Sequence, residues 1–305
     1  LAALNQLLFR DCACLILQGR DAETEDEPPS RVEVVFVTTG RPEISCSSPR
    51  LLVDVGQRRS MHLVESHVSL GASDTSLSNG LCRVIVGDGA SVRHELVQQK
   101  AADARFVESV VAEVGAGASY SARVVQTGAA AARVNVAIGL LGEAASCNLT
   151  GAMVAGGSQQ LGLHSLIHHT VPSCKSNQKQ KNIVGGNAEC VFKGSIKVDK
   201  AAQKTDSEQL CRSLLLTKKA RVKAMPSLQI KADDVSCSHG AAVTELDPQQ
   251  VFYLCSRGLS GPDARRLLLT AFPQDLLGGF GDVAPGAQKQ VLEKLAHVAG
   301  NETEF

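Results

Sequence analysis

The feature that most constrains the fold is a series of strand-like segments that follow one another too closely to leave room for helices between them. They begin near residues 104, 119, 133, 147 and 160, at spacings of 15, 14, 14 and 13 residues. A parallel connection through a helix needs roughly a dozen or more residues in addition to the strands. The strands therefore form either an antiparallel meander or the coils of a β-solenoid.

Turn residues between these segments favour the solenoid over the meander. Several runs are apolar at both alternating positions, which is typical of strands that are buried on both faces. Asn-Gly pairs, the usual signal of a tight hairpin, are few. The glycines at the predicted corners are Gly115, Gly117, Gly128, Gly142, Gly156 and Gly157. Period-two alternation also starts at Arg31, with Val32, Val34 and Phe36 on one face.

Composition excludes several classes of protein. Hydrophobic residues make up 44% of the 305-residue chain and aromatic residues only 3%, so the core must consist mainly of Val, Leu, Ile and Ala. Because the net charge is zero, strong bulk attraction to nucleic acid or anionic lipid is not expected. Apolar runs such as residues 134–141 are far shorter than the roughly 18 residues of a membrane helix.

Two further expectations concern the cellular context of the chain. Its ten cysteines have no regular spacing, which predicts a reducing compartment. The sequence starts at Leu1 without Met, so we expect a preceding segment.

The periodicity changes from strand to helix after Ala242. Asp247 is a predicted N-cap with Pro248 at the first helical position, and Gly258 ends this helix. Ser260 starts a second helix that stops at Pro273, and residues 286–299 form a third. These segments predict a small C-terminal helical unit.

Glycine and histidine motifs give little support for nucleotide binding or catalysis. The Gly115-Ala-Gly117 and Gly278-Gly279-Phe-Gly281 runs lack the strand–loop–helix context and the Lys-Ser/Thr of a phosphate-binding loop. His164, His168 and His169 could bind a metal, but on a strand His169 points away from the other two. The nearest acidic residue along the chain is Glu189, so structural roles are favoured for these histidines.

Cys237 and His239 are the most informative pair. On a strand they share a face, about 6.6 Å apart along the chain, and both can reach one metal centre or cluster. Iron–sulfur clusters usually need four protein ligands, so this pair describes half of a site at a protein–protein interface. A buried Val/Cys/His/Val face is the alternative, and the spacing by itself favours that alternative.

Longer motifs carry a resemblance to a known family. Residues 232–243 (ADDVSCSHGAAV) and 251–259 (VFYLCSRGL) closely resemble the SufB/SufD family of iron–sulfur cluster assembly proteins. Further matching motifs are Ser48-Pro49-Arg50, Val92-x-His94, Val191-Phe-Lys-Gly194, Ala202-Gln-Lys-Thr-Asp206, Ser213-Leu-Leu-Leu216 and Pro226-Ser-Leu-Gln-Ile230. The resemblance runs from about residue 44 to residue 281. Within the family, Cys-Ser-His-Gly-Ala is similar to the SufD type, whereas SufB typically has Cys-Glu-His-Glu.

This resemblance implies a mainly β fold, a right-handed parallel β-helix with a small C-terminal α-helical unit. We expect an N-terminal remnant and acidic loop at residues 1–43, the β-helix core at 44–244 and the helical unit at 245–305. The N-terminal helical region of SufD is not expected in this sequence.

The resemblance also implies a function and a set of site residues. We expect a non-catalytic SufD-like scaffold subunit of the SufBCD complex that binds no nucleotide itself. His239 matches the family histidine that meets a SufB cysteine where a transient iron–sulfur cluster forms. Cys237 is a second candidate ligand, ranked lower because the essential thiol of the family lies on SufB. SufC, the ATPase partner, is expected to bind Phe252, Tyr253 and Arg257.

Location and alternatives follow from the same residues. The sequences of residues 212–216 and 228–230 are similar to those of plastid SufD. They predict the plastid stroma, with the bacterial cytoplasm as the alternative. A SufB-like homodimeric scaffold is the runner-up function. A β-helix carbohydrate-active enzyme is a third, weaker alternative, because residues 104–169 contain only three acidic residues, Glu108, Glu113 and Glu143.

Overall fold

A computed structural model describes residues 2–18, 29–39, 45–71, 73–274, 289 and 292–298. Its strands are β1 (Ala13–Leu17), β2 (Ser30–Thr39), β3 (Cys46–Ser47), β4 (Arg50–Val55), β5 (Ser60–Leu70), β6 (Leu77–Val86), β7 (Ser91–Gln99), β8 (Arg105–Val114), β9 (Ser119–Gln126), β10 (Ala131–Leu140), β11 (Ser146–Ala155), β12 (Gln160–His169), β13 (Lys175–Val184), β14 (Glu189–Val198), β15 (Thr205–Leu215), β16 (Arg221–Ile230) and β17 (Val235–Glu245). The helices are α1 (Ala2–Leu8), α2 (Pro248–Ser256) and α3 (Gly261–Ala271), and residues 292–298 are also helical.

The strands form two parallel sheets, and the chain passes from one sheet to the other with each strand from β4 onward. Sheet A has the order β1-β4-β6-β8-β10-β12-β14-β16, with β3 also pairing with β6, and sheet B has the order β17-β15-β13-β11-β9-β7-β5-β2. Neighbours within a sheet are one coil apart: Ala131 of β10 pairs with Gln160 of β12. The expected parallel β-helix is therefore confirmed, and the antiparallel meander is excluded.

The observed strands start close to the predicted ones. Strands β8, β9, β11 and β12 begin within about one residue of prediction, and β10 begins two residues earlier, at Ala131. Gly117 and Gly157 lie at corners with φ values of 62° and 60°, a left-handed conformation that favours glycine. The glycine-rich corners of the sequence thus mark where the chain turns between the two sheets.

Inward-facing side chains fill the space between the sheets. Most are Val, Leu, Ile and Ala, as the composition predicts, and the largest are Tyr120, Phe106 and Phe192. Each inward side chain lies on the corresponding residue of the previous coil, because the register of neighbouring strands is regular. Residues that are far apart in sequence therefore form continuous columns through the interior.

The helices after the last strand begin as predicted and pack on the outside of the β-helix. The Asp247 carboxylate accepts a hydrogen bond from the Gln249 amide at 2.9 Å, and Ser260 caps α3 in the same way. Leu269 of α3, with Leu295 and Val298, covers an apolar stripe on the outer face of sheet B. That stripe consists of Val64, Val97, Val125, Ala152, Val154, Ile183, Leu214 and Leu216.

Parts of the sequence predictions lie outside the described residues. These parts are most of the acidic loop, at residues 19–28, and portions of the third C-terminal helix. The two boundaries between the three expected regions stay predictions. None of the helices in the described ranges is long and apolar enough to cross a lipid bilayer.

Candidate functional site

The candidate site lies at the end of the β-helix formed by β16 and β17. Each is the last strand of its sheet and pairs along only one edge with a described strand, β14 for β16 and β15 for β17. The other edge of each strand leaves a row of backbone N–H and C=O groups that can pair with another chain. We call this surface the open end.

Burial changes sharply between the last coil and the one before it. Inward residues of β14 such as Cys190, Phe192 and Ile196 are fully buried. The corresponding layer of the last coil is only half-buried, because no further described coil covers it. That layer consists of Val222, Ala224, Leu228, Val235 and Cys237. The open end is therefore an apolar floor with strand edges on two sides.

Cys237 and His239 lie together on β17, as the alternation predicts. Cys237 pairs in register with Ser207 and His239 with Gln209, and both partners on β15 are buried. Both site residues thus continue inward-facing columns of the preceding coils. Since no further described coil covers β17, the Cys237 side chain is half-buried and His239 is exposed. The alternative of a buried Cys/His core face is wrong for His239.

Cys237 and His239 differ in their surroundings and therefore in how readily each can bind a metal. Burial, and then the charge of Asp206, raise the pKa of the Cys237 thiol. The thiol therefore carries its proton at neutral pH and must lose it to bind iron. No hydrogen-bonding partner of the His239 ring lies in the described parts of the chain. The imidazole is thus the more exposed of the two side chains, and the ranking of the two as ligands stays a prediction.

Columns of uncharged polar side chains from the preceding coils run beneath Cys237 and His239. Sequence reasoning missed this feature. Under His239, Gln209 donates a hydrogen bond to Gln178 at 2.7 Å, and Gln178 donates to Ser165 at 2.7 Å. Under Cys237, the Ser207 and Ser176 hydroxyls are 2.6 Å apart. The only sequence signal for these columns is polar residues at inward positions one coil apart.

The expected partner-binding residues lie on and just after α2. The Phe252 side chain is 75% exposed and that of Tyr253 is 56% exposed. The Arg257 guanidinium lies 5.3 Å from the centre of the Tyr253 ring, within range of a cation–π contact. Tyr253 also lines a groove of about 340 Å³ with Asp247, Leu254 and Leu268. Large aromatic groups exposed beside a groove are common at protein interfaces.

The three histidines of β12 diverge, as predicted. His169 is fully buried, with Nε2 2.9 Å from the Ser176 hydroxyl, whereas His164 and His168 lie on the outer face. The expectation that no acidic residue lies near these histidines was wrong for His168. The His168 ring is 2.7 Å from the Asp199 carboxylate, which the next coil brings alongside. Their ion pair is structural, and the three rings do not converge.

A second group of ligand-type side chains lies near the other end of the β-helix. Glu65, His67, Cys82, His94 and Glu108 are fully buried between the sheets, and we call them the sealed cluster. Their sequence separations conceal this grouping, since the five residues come from four strands. Because the carboxylates are sealed from solvent, they cannot reach a polysaccharide, and the carbohydrate-active alternative gains no support.

Comparison with known sequences identifies the family. Residues 36–272 match the family described as SUF system FeS cluster assembly, SufBD core domain. This chain belongs to the SufBD family of iron–sulfur cluster assembly proteins.

Similar relatives come from cyanobacteria, plants and enteric bacteria. The chain is 34% identical over 84% of its length to an iron–sulfur cluster assembly SufBD family protein of Synechocystis, of which it covers 58%. It is 34% identical over 77% of its length to Protein ABCI7, chloroplastic, of Arabidopsis thaliana, covering 50% of that protein. Iron–sulfur cluster assembly protein SufD of Escherichia coli is 35% identical over 55% of this chain, which covers 39% of that protein. The chain thus spans about half the length of the first two relatives.

Proposed function

We propose that this SufBD family chain acts as a SufD-like scaffold subunit, which presents His239 at an interface where a transient iron–sulfur cluster forms. The observation that carries the proposal is the exposed imidazole on β17, the last described strand of the β-helix, beside a half-buried thiol on the same strand. Iron and sulfide are the cargo of this site. The chain has no catalytic role in the proposal, and ATP hydrolysis belongs to a partner.

Ligand number requires a second subunit at this site. His239 and Cys237 supply two donors at most, whereas an iron–sulfur cluster usually needs four. The remaining ligands must come from a chain that docks on the open end. A SufB-like subunit is the proposed partner, with a cysteine opposite His239.

The open end has the physical properties of a docking surface for such a subunit. Its strand edges offer unpaired backbone groups, and its floor includes Val222, Leu228 and Val235. An incoming β-helix of similar cross-section would cover the apolar floor and pair with the strand edges. Docking would thus bury the exposed apolar surface and satisfy the unpaired backbone groups. Val243, whose side chain is 45% exposed on β17, would lie within this contact.

The helical face around α2 is the proposed attachment point for a SufC-like ATPase. Phe252 and Tyr253 project from α2, while α3 holds the unit against sheet B through Leu269. Truncation of Phe252 and Tyr253 to Ala should weaken ATPase binding about tenfold or more, because exposed aromatic anchors dominate many interfaces. Leu141→Ala, at an equally exposed apolar residue away from α2, is the control. Equal ATPase binding by the double variant and the control would refute this attachment point.

The proposed location is the plastid stroma, with the bacterial cytoplasm as the alternative. The similarity to a relative named as chloroplastic supports this location. Fractionation of the source cells with an antibody against this chain tests it, and exclusive recovery outside plastids would contradict it.

Co-purification tests the scaffold assignment as a whole. The chain should associate with a SufB-like subunit and a SufC-like ATPase, and the complex should assemble an iron–sulfur cluster. The runner-up, a homodimer that builds clusters by itself, predicts a dimer of this chain that assembles a cluster without any SufB-like subunit. Cluster assembly by the isolated homodimer would overturn the SufD-like proposal in favour of the runner-up.

A further inference from the structure

The sealed cluster offers donor atoms in the interior, more than 100 residues before His239 in the sequence. Glu65 and His67 come from β5, Cys82 from β6, His94 from β7 and Glu108 from β8. All five side chains face the space between the sheets and are at most 1% exposed. Strands from both sheets and from two successive coils therefore meet at one point.

The Glu65 carboxylate is at the centre of the group. Its Oε1 atom is 2.8 Å from His67 Nε2, and its Oε2 atom is 3.0 Å from His94 Nε2. Glu108 Oε2 is 3.7 Å from the same His67 nitrogen. With metal–ligand bonds of about 2.0–2.2 Å, tetrahedral ligand atoms lie about 3.3–3.6 Å apart. The Glu65–His67 and Glu108–His67 separations bracket that range, so small shifts would bring donor atoms of Glu65, His67 and Glu108 onto one ion.

One carboxylate oxygen of the sealed cluster has no hydrogen-bonding partner among the described residues. Glu108 Oε2 is fully buried and accepts no hydrogen bond from the described residues. Space is kept for this carboxylate, because a Cβ atom at Gly80 on the neighbouring strand would collide with it. An unpartnered carboxylate oxygen in the interior costs free energy unless a cation or proton compensates it.

Positive charge near the two carboxylates comes only from imidazoles. In the described residues, the ion pairs of Glu65 lead to His67 and His94, and that of Glu108 leads to His67. Lysine and arginine, the usual partners of a buried carboxylate, are not among these partners. The His94 ring is held from behind, with Nδ1 2.9 Å from the Tyr120 hydroxyl. The ring thus lies between Tyr120 and Glu65 and can hold the Glu65 carboxylate in place, as outer hydrogen bonds do for the ligands of metal sites.

We propose that the sealed cluster is a binding site for one divalent first-row transition metal ion, with Glu65, His67 and Glu108 as its ligands and His94 holding the Glu65 carboxylate. Imidazole nitrogen together with carboxylate oxygen suits zinc and ferrous iron. The ion replaces the proton of Glu108, which leaves to solvent as the metal binds. Because the ligands join two successive coils, the ion would staple the N-terminal part of the β-helix.

Cys82 is outside the proposed ligand set, although its sulfur is within 4.8 Å of donor atoms of Glu65 and His94. Its sulfur is not part of the group that His67 and Glu108 form with Glu65. Cys82→Ala should therefore retain the metal.

Metal analysis of the full chain tests the proposal. The chain, purified with a tag that contains no histidine, is unfolded and refolded with Zn²⁺ in air or Fe²⁺ without oxygen. The native protein is then exchanged against EDTA and its metal content measured. We expect about one ion per chain that resists EDTA in the native state and is released on unfolding, as a sealed site requires.

Two variants and a matched control make the experiment specific. His67→Gln, which removes a ligand, and His94→Gln, which removes the partner that orients Glu65, should each lower retained metal tenfold or more. His169→Gln, at another fully buried histidine of the same β-helix, should retain it. Equal metal content in all three variants, or complete removal of metal from the native wild-type chain by EDTA, would overturn the proposal.

Glu108→Gln distinguishes metal binding from a cluster that holds only protons. Gln has nearly the size and shape of Glu but cannot become a carboxylate, so this variant keeps the packing and removes a metal ligand. The metal site predicts that Glu108→Gln loses the metal and the rise in Tm that refolding with Zn²⁺ produces. Retention of both would overturn the proposal. Since this test uses the isolated chain, its outcome is independent of partner binding at the open end.

Discussion

The sealed cluster and the open end contain the same types of side chain but differ in how they are covered. At the sealed cluster, β2 precedes the ligand-bearing coils, and Phe36 of that strand stacks on the His67 ring at 4.9 Å. At the open end no described coil follows β17, and His239 is exposed. The polar atoms of a buried cluster can form hydrogen bonds or metal bonds only with other groups of the same chain or with an enclosed ion. An uncovered group with too few ligands depends on a second chain.

Removal of Glu65 should produce the largest change in stability. Glu65→Ala leaves the Nε2 atoms of His67 and His94 without their carboxylate and opens a cavity. We expect the free energy of unfolding to fall by about 3–5 kcal/mol, as for other broken buried pairs. Urea denaturation at pH 7 measures it. A loss below about 1 kcal/mol would mean that the cluster does not hold the first coils together.

Acidification should lower the free energy of unfolding by a smaller amount, through His169 in the interior beneath Cys237. Burial, and then the charge of His168, lower the pKa of His169 to about 4. The folded chain keeps this ring neutral while the unfolded chain protonates it near pH 6.5. Stability is therefore lost as the pH falls from about 6.5 to 4, by about 3 kcal/mol for this residue.

His169→Gln is the variant that isolates this effect. It should flatten the fall in unfolding free energy between pH 6.5 and pH 4 in urea titrations at several pH values, relative to wild type. An equally steep fall in the variant would assign the acid sensitivity to other groups.

A charge on the open end should affect association more than stability. Val243→Asp is expected to weaken binding of a SufB-like subunit about tenfold or more, about 1.4 kcal/mol, because a carboxylate would be buried in the contact. Leu166→Asp is the control, since Leu166 on β12 is 42% exposed at the side of the β-helix. Calorimetric titration of both variants compares them. Equal losses of affinity would mean that the partner does not dock on the open end.

The smallest expected effect is that of His239 on stability. Its exposed ring contributes little to packing, so His239→Ala should change the free energy of unfolding by less than about 0.5 kcal/mol. Parallel urea denaturation of this variant and Glu65→Ala sharpens the comparison between the two regions. A large loss in His239→Ala would imply a structural role for the ring.

Sequence reasoning located the strands and caps well because the repeat is local, and the family resemblance decided for the β-helix over the meander. Strand spacing, corner glycines and the caps at Asp247 and Ser260 each depend on a few neighbouring residues. The pairing of Cys237 with His239 is local too, since alternation on one strand sets it. Whether that strand is covered is not local, so the exposure of His239 needed the structure.

Contacts between coils were beyond sequence reasoning for a physical reason. Asp199 reaches His168 from the next coil, 31 residues later. The sealed cluster combines residues up to 43 positions apart, and only the register of the strands brings Glu65 and Glu108 together. A small error in coil length would place either residue on a different column.

The most direct test of the account is cluster assembly on a complex reconstituted from this chain, a SufB-like subunit and a SufC-like ATPase. Iron and acid-labile sulfide are measured for wild type, His239→Ala and the control His164→Ala, an outward-facing histidine in the middle of the β-helix. We predict intact complexes in all three cases and a tenfold or greater loss of cluster only in His239→Ala. An undiminished cluster yield in His239→Ala would contradict the account.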